Sequence, residues 1–104
     1  MTQTITDVDY LVVGHIACDV KPDGHTLGGS VAYSGRTALA LGCDVGIVTS
    51  CADFTNLEPL EGIQIHRLSA SETTTFENVY KEQGRIQFIH GTSSPLGIDS
   101  VPQR

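Results

Sequence analysis

The residues that could do chemistry sit in two short stretches. Asp19 follows an apolar run, and the pair Gly28-Gly29 precedes a small-residue stretch from Ser30 to Gly42. A carboxylate just beyond the carboxyl end of a strand can accept hydrogens from the hydroxyls of a polyol, and open α/β sheets place ligand groups there. Asp19 reads equally as an ordinary turn residue beside Pro22-Asp23-Gly24. Glycines at 28 and 29 leave the backbone open, and the first-turn amides of a helix carry partial positive charge, so anions or hydroxyl-rich molecules can dock. The same pair also fits a plain loop-to-helix junction. It is not a P-loop, because no Lys-Ser/Thr follows, nor is it a G-x-G-x-x-G dinucleotide fingerprint. The hydroxyls of Thr73-Thr74-Thr75 either face a ligand or serve cross-strand packing.

Thiols and imidazoles offer less. Cys18, Cys43 and Cys51 leave one cysteine unpaired under any connectivity, and no C-x-x-C occurs, so reduced thiols in the core are expected. Among His15, Cys18, Cys43, Cys51, His66 and His90 the short-spaced couple is His15-x-x-Cys18, and no metal site is expected. Composition narrows the partners. The chain has 104 residues, 39% hydrophobic and 17% charged, with a net charge of −6. Its six Lys and Arg are scattered, which argues against nucleic acid. No apolar run approaches the roughly 20 residues that span a bilayer, and the polar residues 1–8 form neither part of a secretory signal, so no membrane partner and a cytoplasmic location are expected.

The elements that must position these residues read as follows. Asp9 to Ile16 is a short, continuous apolar run, expected as a central parallel strand buried on both faces. Residues 17–24 turn away, and His25-Thr26-Leu27 extends briefly. Ser30 is expected as the N-cap of a helix and Gly42 as its left-handed C′ residue. Val31, Gly35, Ala38 and Gly42 share one face, with Ala32, Leu39 and Leu41 beside it, a small surface that allows close approach to a sheet. Asp44 to Ser50 is a second parallel strand, and residues 51–62 are a loop or short helical turn. Residues 63–68, 73–81 and 85–90 read as three antiparallel strands, the last two a hairpin across Glu82-Gln83-Gly84, and 91–104 as loop with at most a helical turn. The fold class is α/β: a parallel βαβ unit over 9–50, plus antiparallel strands over 63–90, in one small domain.

Taken together these features resemble the N-terminal part of the PfkB (ribokinase-like) carbohydrate and nucleoside kinase family. The resemblance rests on Val13-Gly14-His15-Ile16-Ala17-Cys18-Asp19, on Gly28-Gly29 before a helix ending Ala40-Leu41-Gly42, on Val45 to Ser50, and on Thr73 to Tyr80 with its hairpin, similar to that family's β-lid. It covers about residues 8–101 and implies a partial ribokinase-like fold. It also implies that Asp19 binds sugar hydroxyls, that Gly28 and Gly29 close around the substrate, and that Ser30 is a polar contact residue. Tyr33 occupies a contact position where Asn is often found. Full-length relatives transfer the ATP γ-phosphate to a hydroxyl, with Mg2+. This sequence has no Gly-Ala-Gly-Asp motif, so the resemblance places no catalytic residue and no cofactor in it, and its end reads as truncation before a further helix and strand.

The implied partner is a small sugar or polyol. The apolar residues Ile65, Phe76, Val79, Phe88 and Ile89 exceed what one short sheet can hide, so self-association through the lid or an open sheet edge, or a partly molten monomer, is expected. Two other readings stand beside the kinase: a stand-alone polyol-binding or dimerisation module without catalysis, and a structural remnant without ligand.

Overall fold

The computed structural model describes residues 5, 7–52 and 55–102. The apolar segment Val45–Ala52 (β4) is buried at every position and forms the centre of a three-stranded parallel sheet. Tyr10–Val13 (β1) pairs on one side of it and Gln64–Ala70 (β5) on the other, aligning Val12 with Ile47 and Ile47 with Ile65. The strand buried on both faces is therefore β4. β1, expected in the centre, is the sheet edge among the described residues, and Tyr10, Leu11 and Val13 are exposed. An apolar run reports affinity for burial, but not which neighbour provides it.

The helix Ser30–Ala40 (α1) lies on this sheet. Val31, Ala32, Gly35 and Ala38 are its buried residues, as the small-residue face requires. A Cβ on Gly35 would stand 2.9 Å from Ile47 Cδ1, and one on Gly14 would stand 2.5 Å from Val31 Cγ2, so glycine on each side sets the spacing of helix and sheet. Gly42, at φ 92°, closes the helix as expected, whereas Leu41 is 80% exposed and takes no part in the packed face. Ser30 is not the N-cap. That position falls to Gly29, at φ 91°, and no side chain caps the helix start.

Residues expected to turn away after β1 instead form a hairpin, Ala17–Lys21 (β2) and Gly24–Gly28 (β3), around Pro22-Asp23. Pro pre-sets the turn and Gly24, at φ 141°, completes it. This hairpin joins a second one, Thr74–Lys81 (β6) and Gly84–Gly91 (β7), in a mixed four-stranded sheet of order β3-β2-β6-β7. β2 and β6 run parallel. The β6-β7 hairpin is as expected, but the preceding strand is not its companion: β5 pairs parallel with β4 and buries Ile65 in the helix-covered core. Its alternation of polar and apolar residues mimics an antiparallel strand because it is the second edge of the parallel sheet.

The two sheets meet along a seam of hydroxyls. Thr49 Oγ1 accepts from the Ile16 amide at 3.0 Å, and Thr73 Oγ1 accepts from the Ala52 amide at 2.9 Å while bonding Thr55 Oγ1. Ser50 and Ser93 bond through their hydroxyls at 2.7 Å, the Ser93 amide donates to Thr74 Oγ1 at 3.1 Å, and His15 Nε2 lies 2.7 Å from the Ser94 carbonyl oxygen. Short 3-10 turns occur at Glu58–Leu60 and Ile98–Ser100, and no described helix is long and apolar enough to cross a membrane.

Candidate functional site

Alternation along the strands sorts the four-stranded sheet into two faces. Register places Asp19, Thr26 and Phe76 in one cross-strand row, and Cys18, Leu27 and Thr75 in the next row, on the opposite face. Asn78 and Gln87, joined by a 2.9 Å side-chain hydrogen bond, continue the Asp19 face along β6 and β7.

Asp19 is half-buried, and its carboxylate forms no hydrogen bond or ion pair with any described residue. Its Oδ2 lies against the Cα of Gly28: a Cβ there would overlap that oxygen and approach the Tyr33 hydroxyl to 3.4 Å. Gly28 is thus required by the close approach of a carboxylate and Gly29 by its conformation. A Cβ on Gly29 would also stand 3.1 Å from the His15 carbonyl oxygen. The first helical bond runs from the Tyr33 amide to the Gly29 carbonyl at 3.2 Å, so the amides of Ser30, Val31 and Ala32 have no acceptor within the helix. The structure therefore gathers Asp19, Gly28, Gly29 and Tyr33, with the exposed Ser30 beside them in the first turn.

This arrangement combines an acceptor with donors. An unpaired carboxylate can take hydrogens from neighbouring hydroxyls, free amides can give hydrogens to hydroxyl oxygens, and a tyrosine hydroxyl can do either. Phe76, unforeseen as a site residue, is the register neighbour of Asp19 and supplies an apolar wall. Its signal in the sequence was only that of a strand residue. The hydroxyls of the three threonines before and within β6 are all bonded within the protein. Thr73 is 5% exposed and holds the seam, Thr74 accepts from Ser93, and Thr75 Oγ1 donates to the Thr73 carbonyl at 2.8 Å.

The cysteines are free thiols. Cys51 is buried, whereas Cys18 and Cys43 are only partly so. Burial pushes the Cys51 thiol up, against hydrogen bonding from Thr55 and the nearby Arg67 charge, and burial together with the Asp19 carboxylate pushes up Cys18. No group of three or more His, Cys, Asp or Glu among the described residues is placed to hold a metal ion. With the Gly-Ala-Gly-Asp motif also absent, the residues here do not fit ATP and Mg2+, and no chemical step is assigned through them.

No protein-family model and no curated protein matches the sequence. Solved structures do match the fold. A pyrophosphate-dependent kinase of the ribokinase family, complexed with a pyrophosphate analog and myo-inositol, superposes with TM-score 0.71 at 23% identity, covering 88% of this chain and 35% of that one. The Halothermothrix orenii fructokinase matches with TM-score 0.57 at 17% identity, over 80% of this chain and 37% of that one. The Methanocaldococcus jannaschii nucleoside kinase, an archaeal member of the ribokinase family, matches with TM-score 0.58 at 18% identity, over 86% of this chain and 38% of that one. The parallel sheet with its helix, joined to the mixed four-stranded sheet, is a ribokinase-like fold in part, spanning little more than a third of the kinases it resembles.

Proposed function

We propose that this chain forms the substrate-binding and lid portion of a sugar, polyol or nucleoside kinase, in which a phosphoryl group passes from a phosphoanhydride donor to a substrate hydroxyl. The observation that carries the reading is the half-buried Asp19 carboxylate, without a hydrogen-bond or ion-pair partner among the described residues, held against Gly28 beside an uncapped helix start. In this role Asp19 accepts hydrogens from substrate hydroxyls, the amides at the start of α1 and the Tyr33 hydroxyl complete the contacts, and Ser30 adds a polar group at the rim. The comparisons favour hydroxyl-rich substrates, since one similar structure holds myo-inositol and another is a fructokinase. They do not single out ATP as donor, since two similar structures are pyrophosphate-dependent. The given sequence contains no Gly-Ala-Gly-Asp motif, so on this reading the chain by itself is expected to transfer no phosphoryl group.

NMR titration of the 104-residue chain with myo-inositol, ribose and fructose tests the binding half of this reading. Saturable shifts at residues 19, 28–30 and 33 that Asp19→Asn abolishes are expected. Shifts that survive that substitution, or no binding by any polyol, refute it. Incubation of the polyols with ATP or pyrophosphate and the chain alone should yield no phosphorylated product.

The second reading, a dimerisation module, is favoured by one observation. Ile86 and Phe88, on the face of the four-stranded sheet opposite Asp19, are 43% and 47% exposed. In that case the sheet pairs two copies of the chain.

A further inference from the structure

A cavity lies on the other side of the four-stranded sheet from Asp19. It has a volume of about 710 Å³, within the range of roughly 300–1,000 Å³ usual for small-molecule pockets. Cys18, Leu27 and Thr75, on the sheet face opposite Asp19, form its floor, and Pro59 beside the first 3-10 turn forms part of its wall. Its surface is mostly apolar, yet it carries two charges of opposite sign, Arg36 from α1 and Glu72 from the connection before β6.

Neither charge is spent on the fold. Arg36 and Glu72 form no ion pair or hydrogen bond with any described residue, nor with each other. The Glu72 carboxylate has a defined place: it lies 3.6 Å from where a Cβ on Gly91 would stand, so glycine at the end of β7 leaves room for it. Several other polar groups at the rim are already satisfied within the protein. Thr55 bonds Thr73, Thr75 donates to the Thr73 carbonyl, and His90 bonds Glu77 at 2.9 Å. Beside the polar side chains of His25, Thr26 and Ser71, the cleft therefore offers a ligand a guanidinium, a carboxylate and an apolar floor.

We propose that this cleft is a second ligand site, separate from the polyol face, for a small zwitterion: an amino acid with an apolar side chain. Its carboxylate meets the planar fork of Arg36, which matches two carboxylate oxygens at once. Its ammonium meets Glu72, and its side chain rests on Leu27 and Cys18. A simple anion would leave Glu72 as a repelling charge in the same cavity, and a simple amine would leave Arg36 as one.

The experiment is an NMR titration of the 104-residue chain with leucine and phenylalanine, beside N-acetyl-leucine, leucinamide and inorganic phosphate. Saturable shifts at residues 18, 27, 36 and 72 are expected with the free amino acids. Arg36→Gln and Glu72→Gln should each weaken binding at least about tenfold, the loss of one charge-assisted hydrogen bond. Both residues are exposed, so these variants should fold, and thermal unfolding checks that they do. Asp19→Asn should leave amino-acid binding unchanged while abolishing polyol binding, which separates failure here from failure of the kinase reading. The proposal is overturned if the free amino acids do not saturate the cleft. Equal binding of N-acetyl-leucine, leucinamide or phosphate overturns it too, as does insensitivity to either charge substitution.

Discussion

Gly28→Ala separates the role of a site glycine from its role in the fold. The residue is buried at the end of β3 with φ in the ordinary negative region, so alanine meets no backbone strain. The added methyl group instead occupies the position of Asp19 Oδ2. That carboxylate is bound to nothing else described, so it can rotate away, at a cost of about 0.5–1.5 kcal/mol for a displaced rotamer. Replacing a strand glycine by alanine contributes roughly 0.5–1 kcal/mol in the other direction. The two nearly cancel, and the melting temperature should move by no more than about 8 °C either way. Binding should respond quite differently. A hydroxyl bonded to a charged carboxylate is worth about 1.5–3 kcal/mol, so moving Asp19 out of place weakens polyol binding roughly 10- to 150-fold. Calorimetric titration with the polyol that binds the parent chain best, beside thermal unfolding of both proteins, measures the two effects separately. An unchanged affinity in a folded Gly28→Ala protein would refute the reasoning, because it would show that the position of Asp19 does not matter to the ligand.

Other expectations follow from the same structure. Gly35→Leu forces a large side chain into the 2.9 Å approach to Ile47 and should destabilise the chain by about 1–3 kcal/mol or more, read as a lowered urea midpoint. Lysine at both 86 and 88 should shift the chain toward monomer in light scattering, since these side chains are exposed and apolar on one sheet face; parent and variant alike monomeric at high concentration would exclude this face as a contact surface. The thiols of Cys51 and Cys18 are held above their ordinary value of 9.0, so on raising the pH the unfolded chain loses these protons first. Their contribution to stability is therefore complete below about pH 9 and lost as the pH rises through the folded values, and the Cys18→Ala/Cys51→Ala protein should show a flatter stability profile in that window.

The sequence was most legible where local geometry and burial agree. Gly35 and Ala38 announced a helix pressed against a sheet, Gly42 its end, and the β-branched run before Cys51 a buried strand. It was least legible where a residue's partner lies far along the chain. Nothing in Tyr10 to Val13 says whether a strand pairs on one side or two, and the polar alternation of β5 resembles that of an antiparallel strand. The β2-β3 hairpin was signalled by Pro22-Asp23-Gly24, a turn sequence between short runs, but its strands are more polar than the apolar run ending at Ile16 and carry a weaker strand pattern. At the site, Asp19 and the paired glycines carried their own chemical signal. Phe76 did not, because its place beside Asp19 exists only through the register of two strands from distant parts of the chain. The N-cap expectation for Ser30 failed because Gly29 alone adopts the positive φ that the entry to α1 requires.

The parallel pairing of β2 with β6 also bears on the order in which this protein assembles. Each hairpin is local and can form within about 1–10 μs. Joining them means closing a loop that contains α1, β4 and β5, nearly half of the described residues, and such long-range contacts are formed only after their entropy cost is met. The helix-covered sheet, whose parts are nearer in sequence, supplies the platform that shortens this loop. Asp19 meets Phe76 only at that late docking step, so during synthesis the row that joins them cannot exist until β6 has emerged. A nascent chain is then a folded layer with a loose hairpin, and maturation of the site coincides with completion of the second sheet.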